Sequence, residues 1–343
     1  MSHDENALQQ RFYELRWAWH DTFTSDPDKS LAIIQEAIDL AGSFDSDEWQ
    51  LRKMEMQHWY QQGLVFNKRD YARALPATIR SAVEARKPKY ANWRTKICLY
   101  QDLIAAHVGQ DAISNAPAIE AALSKMEAEA PDYSQCRICL AGERSQFEMW
   151  RDDLDVAEKA TTFYLSKARF GHNPGAHTMM CVVYFRRENW QLLLEHAQAA
   201  IKGSEDDADA KDDLIEGYLW QAVAQLKLGK PDAAKESFVA AETEHALIKT
   251  TLSVWYYLAR AYYHEHSDQL TLAIATRQQQ LEAIAGKGAL REEAEARVEL
   301  CRLEGLCGEG ISAETITLAQ AAIGHLKVPA KLPAKLETIL KEN

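Results

Sequence analysis

The chain has 343 residues, 47% hydrophobic and 26% charged, a balance that excludes a disordered polypeptide and allows a large core. Its net charge of −12 argues against nucleic acid or an anionic membrane as partner, since both call for a basic face. No apolar run approaches the roughly 20 residues of a membrane-spanning helix, and the polar, acidic start from Met1 to Asn6 lacks the basic and apolar regions of a signal peptide.

A cytoplasmic location is therefore expected. The six cysteines (Cys98, Cys136, Cys139, Cys181, Cys301 and Cys307) then read as reduced core thiols, not as a disulfide framework. Fifteen glycines and nine prolines are few for this length, as suits long helices joined by short connections.

In chain order, helical periodicity and turn residues predict eight helical hairpins over 6–42, 47–87, 91–130, 133–168, 173–202, 208–246, 250–284 and 289–326, followed by a tail at 327–343 with a short helix from about Pro333. The sixth is the most explicit. A helical face from Asp212 to Leu228 stops at Gly229. Lys230-Pro231-Asp232 turns the chain, with Pro231 suited to a first helical turn, and Ala234, Phe238 and Ala241 line the returning helix. In the seventh, Trp255, Leu258, Ala259 and Tyr262 share one helical face.

Ser30, Ala74, Ile119, Ala157, Leu193, Ala234, Ala273 and Thr315 take equivalent places in the eight second helices, about 41 residues apart on average. Repetition at this period predicts an all-α fold, an α-α superhelix (solenoid) forming one domain over 1–343. A single hairpin cannot bury its apolar face alone, so the hairpins must stack.

Tyr218, Ala222, Ala234, Phe238 and Ala241 resemble the tetratricopeptide-repeat (TPR) signature: a large residue, a small one, then alanine, an aromatic four on and another alanine. Tyr71, Ala74, Ser81 and Pro88 are similar to its second half. Trp255, Leu258, Ala259 and Tyr262 match its first helix, and His177, Met180, Cys181, Tyr184, Trp190, Ala197 and Ala200 form a fainter copy. The period exceeds the usual TPR length of about 34 and is closer to the long helical repeats of bacterial regulators, such as maltose-regulator-type activators and peptide-sensing Gram-positive regulators. The resemblance implies a right-handed superhelix whose first helices line a concave groove. Ala222, Ala234 and Ala259 would sit where helix backbones cross closely, with Tyr218, Trp255 and Phe238 filling the gaps beside them.

Other constellations read as structural. Cys136 and Cys139 form a CxxC pair within a helical segment and without a second ligand pair, so core packing is expected, without metal. His264 and His266 lie about 200° apart around a helix and cannot share an ion, while His172 and His177 flank a turn. The acidic run from Ser204 to Asp213 lacks the glycine and closing glutamate of a calcium loop. It reads as a solvated helix start with Ser204 as N-cap. No phosphate loop, dinucleotide fingerprint or nucleophile elbow occurs. Neither catalysis nor a cofactor is expected.

The expected function is protein interaction: a scaffold or adaptor holding a peptide or protein segment in its concave groove. The alternative is a regulatory module that senses a ligand or peptide and acts on a partner. An enzyme with a site built from scattered residues ranks below both. The residues beside the signature positions would face the groove: Trp59 and Phe66 in the second hairpin, Phe185 and Arg186 in the fifth, Tyr256, Arg260 and Tyr263 in the seventh. Aromatic rings with guanidinium groups among them suit a peptide carrying carboxylates and apolar anchors. The competing expectation is that these rings fill the wall of the groove and the arginines pair with nearby Glu and Asp.

Overall fold

The protein is described by a computed structural model over residues 3–343, apart from 24, 94, 132–134, 168–172, 206–209 and 309, with side chains from residue 6. Among the described residues there are seventeen α-helices and no strand. They follow one another as α1 (His3–His20) and α2 (Pro27–Gly42), α3 (Asp47–Gln62) and α4 (Tyr71–Glu84), α5 (Lys96–Asp111) and α6 (Ala116–Glu129), α7 (Gln135–Arg151) and α8 (Leu154–Lys167). Then come α9 (Pro174–Arg186) and α10 (Trp190–Ser204), α11 (Lys211–Lys227) and α12 (Pro231–His245), α13 (Val254–His266) and α14 (Leu270–Ile284), α15 (Leu290–Leu306) and α16 (Ala313–Gly324). A last helix, α17 (Leu332–Glu342), lies against α15. Each helix packs chiefly on its sequence neighbours, which is the organisation of a helical-hairpin solenoid.

The repeat register is visible in burial. Ser30, Ala74, Ile119, Ala157, Leu193, Ala234 and Ala273 are all essentially inaccessible, as are Ala222, Ala241 and Ala259. Most of these residues are small, as suits places where helices pack closely, while Ile119 and Leu193 fill the same register in the third and fifth hairpins. In the eighth hairpin the register moves: Thr315 is half-buried and the inaccessible alanine is Ala319.

The turn inside the hairpin repeats as well. Arg69, Asp152, Glu188, Gly229 and Asp268 each have positive φ, between 53° and 75°, and each precedes the buried alanine or leucine of its second helix by five residues. The following amide donates back to a carbonyl five residues earlier, or six in the first case: Asp70 to Leu64, Asp153 to Glu148, Asn189 to Tyr184, Lys230 to Gln225 and Gln269 to His264. This left-handed closure satisfies carbonyls that the end of a helix would otherwise leave bare. Only one of the five is glycine, so the other four bear a conformational cost. Glu188 is exposed, and Glu188→Gly is expected to raise stability by about 1 kcal/mol. Urea unfolding checks this, and a destabilised variant would show that the turn depends on the glutamate side chain.

Caps set the starts of the second helices. Asp26 accepts from the Lys29 amide, Asp70 from that of Arg73, Asn189 from that of Leu192 and Ser312 from that of Thr315. Pro27 and Pro231 occupy first-turn positions, where a missing N–H costs nothing. Ser204 differs from its expected role. It ends α10, buried, its hydroxyl donating to the Ala200 carbonyl, because α10 runs two residues beyond the expected end of the hairpin. Residues 206–209 of the acidic run, and His172, lie outside the described residues.

The superhelix then closes on itself. The turn between α3 and α4 meets the C-terminal hairpins through main-chain bonds from the Thr251 amide to the Asn67 carbonyl and from the Ala72 amide to the Lys287 carbonyl, both 2.9 Å. One apolar cluster joins Leu31, Leu64, Val65, Tyr71, Ala105 and Ala106 to Ile284 and Ala289. Helix α15 packs along α5. There the guanidinium of Arg291 donates to Asp111 at 3.0 Å, with both side chains buried. At the inner edge Arg69 reaches across to the carboxylate of Glu292 with two nitrogens and also donates to the Leu252 carbonyl.

Candidate functional site: the closed interior

Closure leaves a cavity of about 240 Å³ lined by every hairpin from the second to the eighth. Its walls come from the extension of α3 (Val65, Phe66), from α5 (Ala105, Val108, Gly109), α7 (Gln146, Trp150), α9 (Gly175, Thr178, Met179), α11 (Asp212, Asp213, Glu216), the start of α13 (Ser253, Trp255) and from Glu292 on α15. Arg69 and Tyr71 complete the rim.

The extension of α3 is a π-helical turn, Gly63–Asn67. It leads to Arg69 in its left-handed conformation, so the residue that bridges the superhelix has an unfavourable backbone as well as a buried charge. Helix α11 starts inside the interior. Asp212 and Glu216, four residues apart, lie on one face of it.

Small hydroxyl side chains from neighbouring repeats hold these carboxylates. Thr178 donates to Asp213, Thr250 to Asp212 and Ser253 to Glu216. Ser253 also caps α13 through the Trp255 and Tyr256 amides. Burial raises the Asp212 carboxyl above its ordinary range. Burial, with the neighbouring Asp213 and Asp212 charges, pushes Glu216 up to about 8. Among the described residues, four acidic side chains and one arginine line the cavity, and that arginine is paired with Glu292.

Of the expected contact residues, Phe66 alone lines this cavity. Phe66 lies on the cavity wall and is among the exposed large apolar residues. Trp59 packs on Trp19 and Phe23 in the N-terminal core, with ring centroids 4.6 and 6.1 Å away. Phe185 sits edge-on to Tyr262 and against Trp220. Arg186 lies over the Trp255 ring, which does line the cavity, and donates to the Met149 carbonyl.

In the seventh hairpin the expected contact residues are engaged by neighbouring helices. Tyr256 is wholly inaccessible, its hydroxyl at 2.9 Å from His245 Nδ1, and Tyr263 is buried flat against Phe238. Arg260 is committed to Glu242 and Gln279 at 2.8 and 2.6 Å. These positions serve packing between adjacent hairpins, because the close helix crossing at Ala259 brings its flanking residues against α12 and α14.

Cys136 and Cys139 are half-buried against the core around Tyr100 and Phe147. Burial pushes the Cys139 and Cys98 thiols up to about 12, which makes them poor nucleophiles. His264 is tied to Gln269, and His266 stacks on Tyr262. Among the described residues no group of three or more His, Cys, Asp or Glu is arranged to hold a metal ion. No described helix is long and apolar enough to cross a membrane.

The carboxylates of the interior were not marked by any sequence motif. A signal did exist: Asp212 and Glu216 share a helical face beside Leu214, Ile215, Leu219 and Trp220, so a carboxylate is carried into an apolar wall. The reading of Asp212 and Asp213 as a solvated helix start is corrected, since both line the interior. No protein-family model matches the chain, and no curated protein matches it.

Proposed function

We propose that this chain is a non-catalytic regulatory module of TPR-like repeats, which senses a small ligand in its closed interior and passes that state to a partner protein. The observation that carries the reading is the cavity lined by seven successive hairpins. A ligand there contacts most of the repeats at once, so its binding free energy biases the curvature of the whole stack. A peptide lying along the concave face, the reading favoured by the sequence alone, would first require the Arg69–Glu292 and Arg291–Asp111 contacts to part. The free thiols support a reducing compartment, which we take to be the cytoplasm.

Thermal melting in the presence of a mixed set of anionic, neutral and cationic metabolites tests the proposal. At least one compound of any charge is expected to raise the melting temperature. The rise should vanish in Ala105→Phe or Met179→Trp, both of which fill the cavity, with helix content by circular dichroism showing that the variant used is folded. If no compound acts, and a captured partner protein binds the filled variant as it binds the wild type, the module is a plain scaffold and the proposal fails.

A further inference from the structure

The charge balance of the cavity is lopsided in a way the fold does not require. Glu216 is 7% exposed and lines the cavity. One of its carboxylate oxygens accepts from Ser253. Asp212 stands one helical turn away, with Thr250 as its donor. Among the described residues, Arg69 on the wall is spent on Glu292 and the Leu252 carbonyl, and Arg186, which lies over the Trp255 ring, is held by the Met149 carbonyl and Asp152. A buried carboxylate without a cation is costly, and a chain with no use for it would be more stable with an apolar or amide side chain in its place.

Trp150 and Trp255 line the same cavity, with ring centroids 5.4 Å apart and tilted by 41°. Carboxylates and indole rings in one cavity form surroundings that recognise an organic cation: the acids take the charge, and the rings take its apolar part. We propose that this cavity binds a small organic cation, with its ammonium or guanidinium group between Asp212 and Glu216 and its carbon chain against Trp150 and Trp255. At about 240 Å³ the space equals roughly eight waters, which suits a molecule of that class and excludes a folded peptide.

The inference rests on the ligand-sensing reading and adds the charge of the ligand. It carries a proton signature. The groups around Glu216 are Asp212 and Asp213 on its own helix, the Arg69 guanidinium, Ser253 and the buried Cys181 thiol. With no cation beside it, the buried Glu216 carboxyl is pushed up to about 8. A bound cation favours the carboxylate, so binding below that pH releases a proton and affinity rises as pH rises, levelling above about 8.

Calorimetric titration of the full chain with agmatine, putrescine and choline, against 1,4-butanediol and succinate as neutral and anionic counterparts, tests the inference. At least one cation should bind, with an affinity that increases up to tenfold per pH unit between about pH 6 and 7.5. Glu216→Gln, which keeps the acceptor for Ser253, should weaken binding at least tenfold and flatten the pH dependence without loss of helix. Asp212→Asn serves if that variant does not fold. Binding of succinate or butanediol in place of the cations, abolished by Ala105→Phe, would overturn the cation assignment and leave the sensing reading standing. Absence of binding by all three cations, or wild-type affinity and pH dependence in Glu216→Gln, overturns the assignment as well.

Discussion

Glu292→Ala is expected to destabilise the protein by about 3–5 kcal/mol and to open the superhelix. The carboxylate receives two nitrogens of Arg69 and also the Gln280 amide at 2.7 Å, and its side chain is 2% accessible. Removing it leaves a guanidinium in the interior with the Leu252 carbonyl and the Tyr71 hydroxyl but no carboxylate, so the cost is that of an uncompensated buried charge more than that of a lost bond. The double replacement Arg69→Met with Glu292→Leu removes both charges and should cost much less than Glu292→Ala alone. Chemical unfolding of the single and double variants checks the order. Small-angle scattering should show a larger radius of gyration for Glu292→Ala. A single variant within 1 kcal/mol of wild type would mean that the apolar cluster around Tyr71 and Ile284 holds the superhelix shut without the ion pair.

Gly109→Ala should reverse the usual sign of a glycine-to-alanine change within a helix. In a free helix alanine gains up to about 1 kcal/mol over glycine. At Gly109, inside α5, a Cβ would lie 2.0 Å from the Tyr71 ring, far inside van der Waals contact. Tyr71 is itself buried at the start of α4, so it cannot swing away, and overpacking should outweigh propensity with a net loss of about 1–3 kcal/mol. Gly324, near the end of α16, has nothing within 4 Å of the same added atom, and Gly324→Ala should be neutral or mildly stabilising. The cause is isolated by combining Gly109→Ala with Tyr71→Ala, which should lose less than the sum of the two single changes. Additive losses would show that the tyrosine ring is not what excludes the methyl group.

Much of the architecture was legible because it rests on short-range periodicity. The alanines at 74, 157, 234 and 273 recur at a steady interval and are inaccessible, since a hairpin crossing at close range demands a small residue wherever it occurs. The turns were legible only in part. Gly229 marks its own left-handed position, whereas Arg69, Asp152, Glu188 and Asp268 adopt the same conformation under pressure from the packed helices on either side, which local propensity does not reveal. The candidate contacts were less legible still. Trp59, Phe185, Tyr256 and Tyr263 are aromatic whether they face a groove or a neighbouring repeat, and one step around the helix separates the two.

The amino-acid sequence by itself therefore determined an all-helical stack of hairpins, the residues at its helix crossings and the acidic balance of the chain. Only the tertiary structure decided that the stack closes, which side chains meet across the closure and that Asp212 and Glu216 end in its interior. The reason is accumulation. Each hairpin adds a small rotation to the one before it, and whether the second hairpin reaches the seventh and eighth depends on the sum of those rotations. Arg69 and Glu292 are 223 residues apart in the chain, and no local pattern in either segment specifies the other.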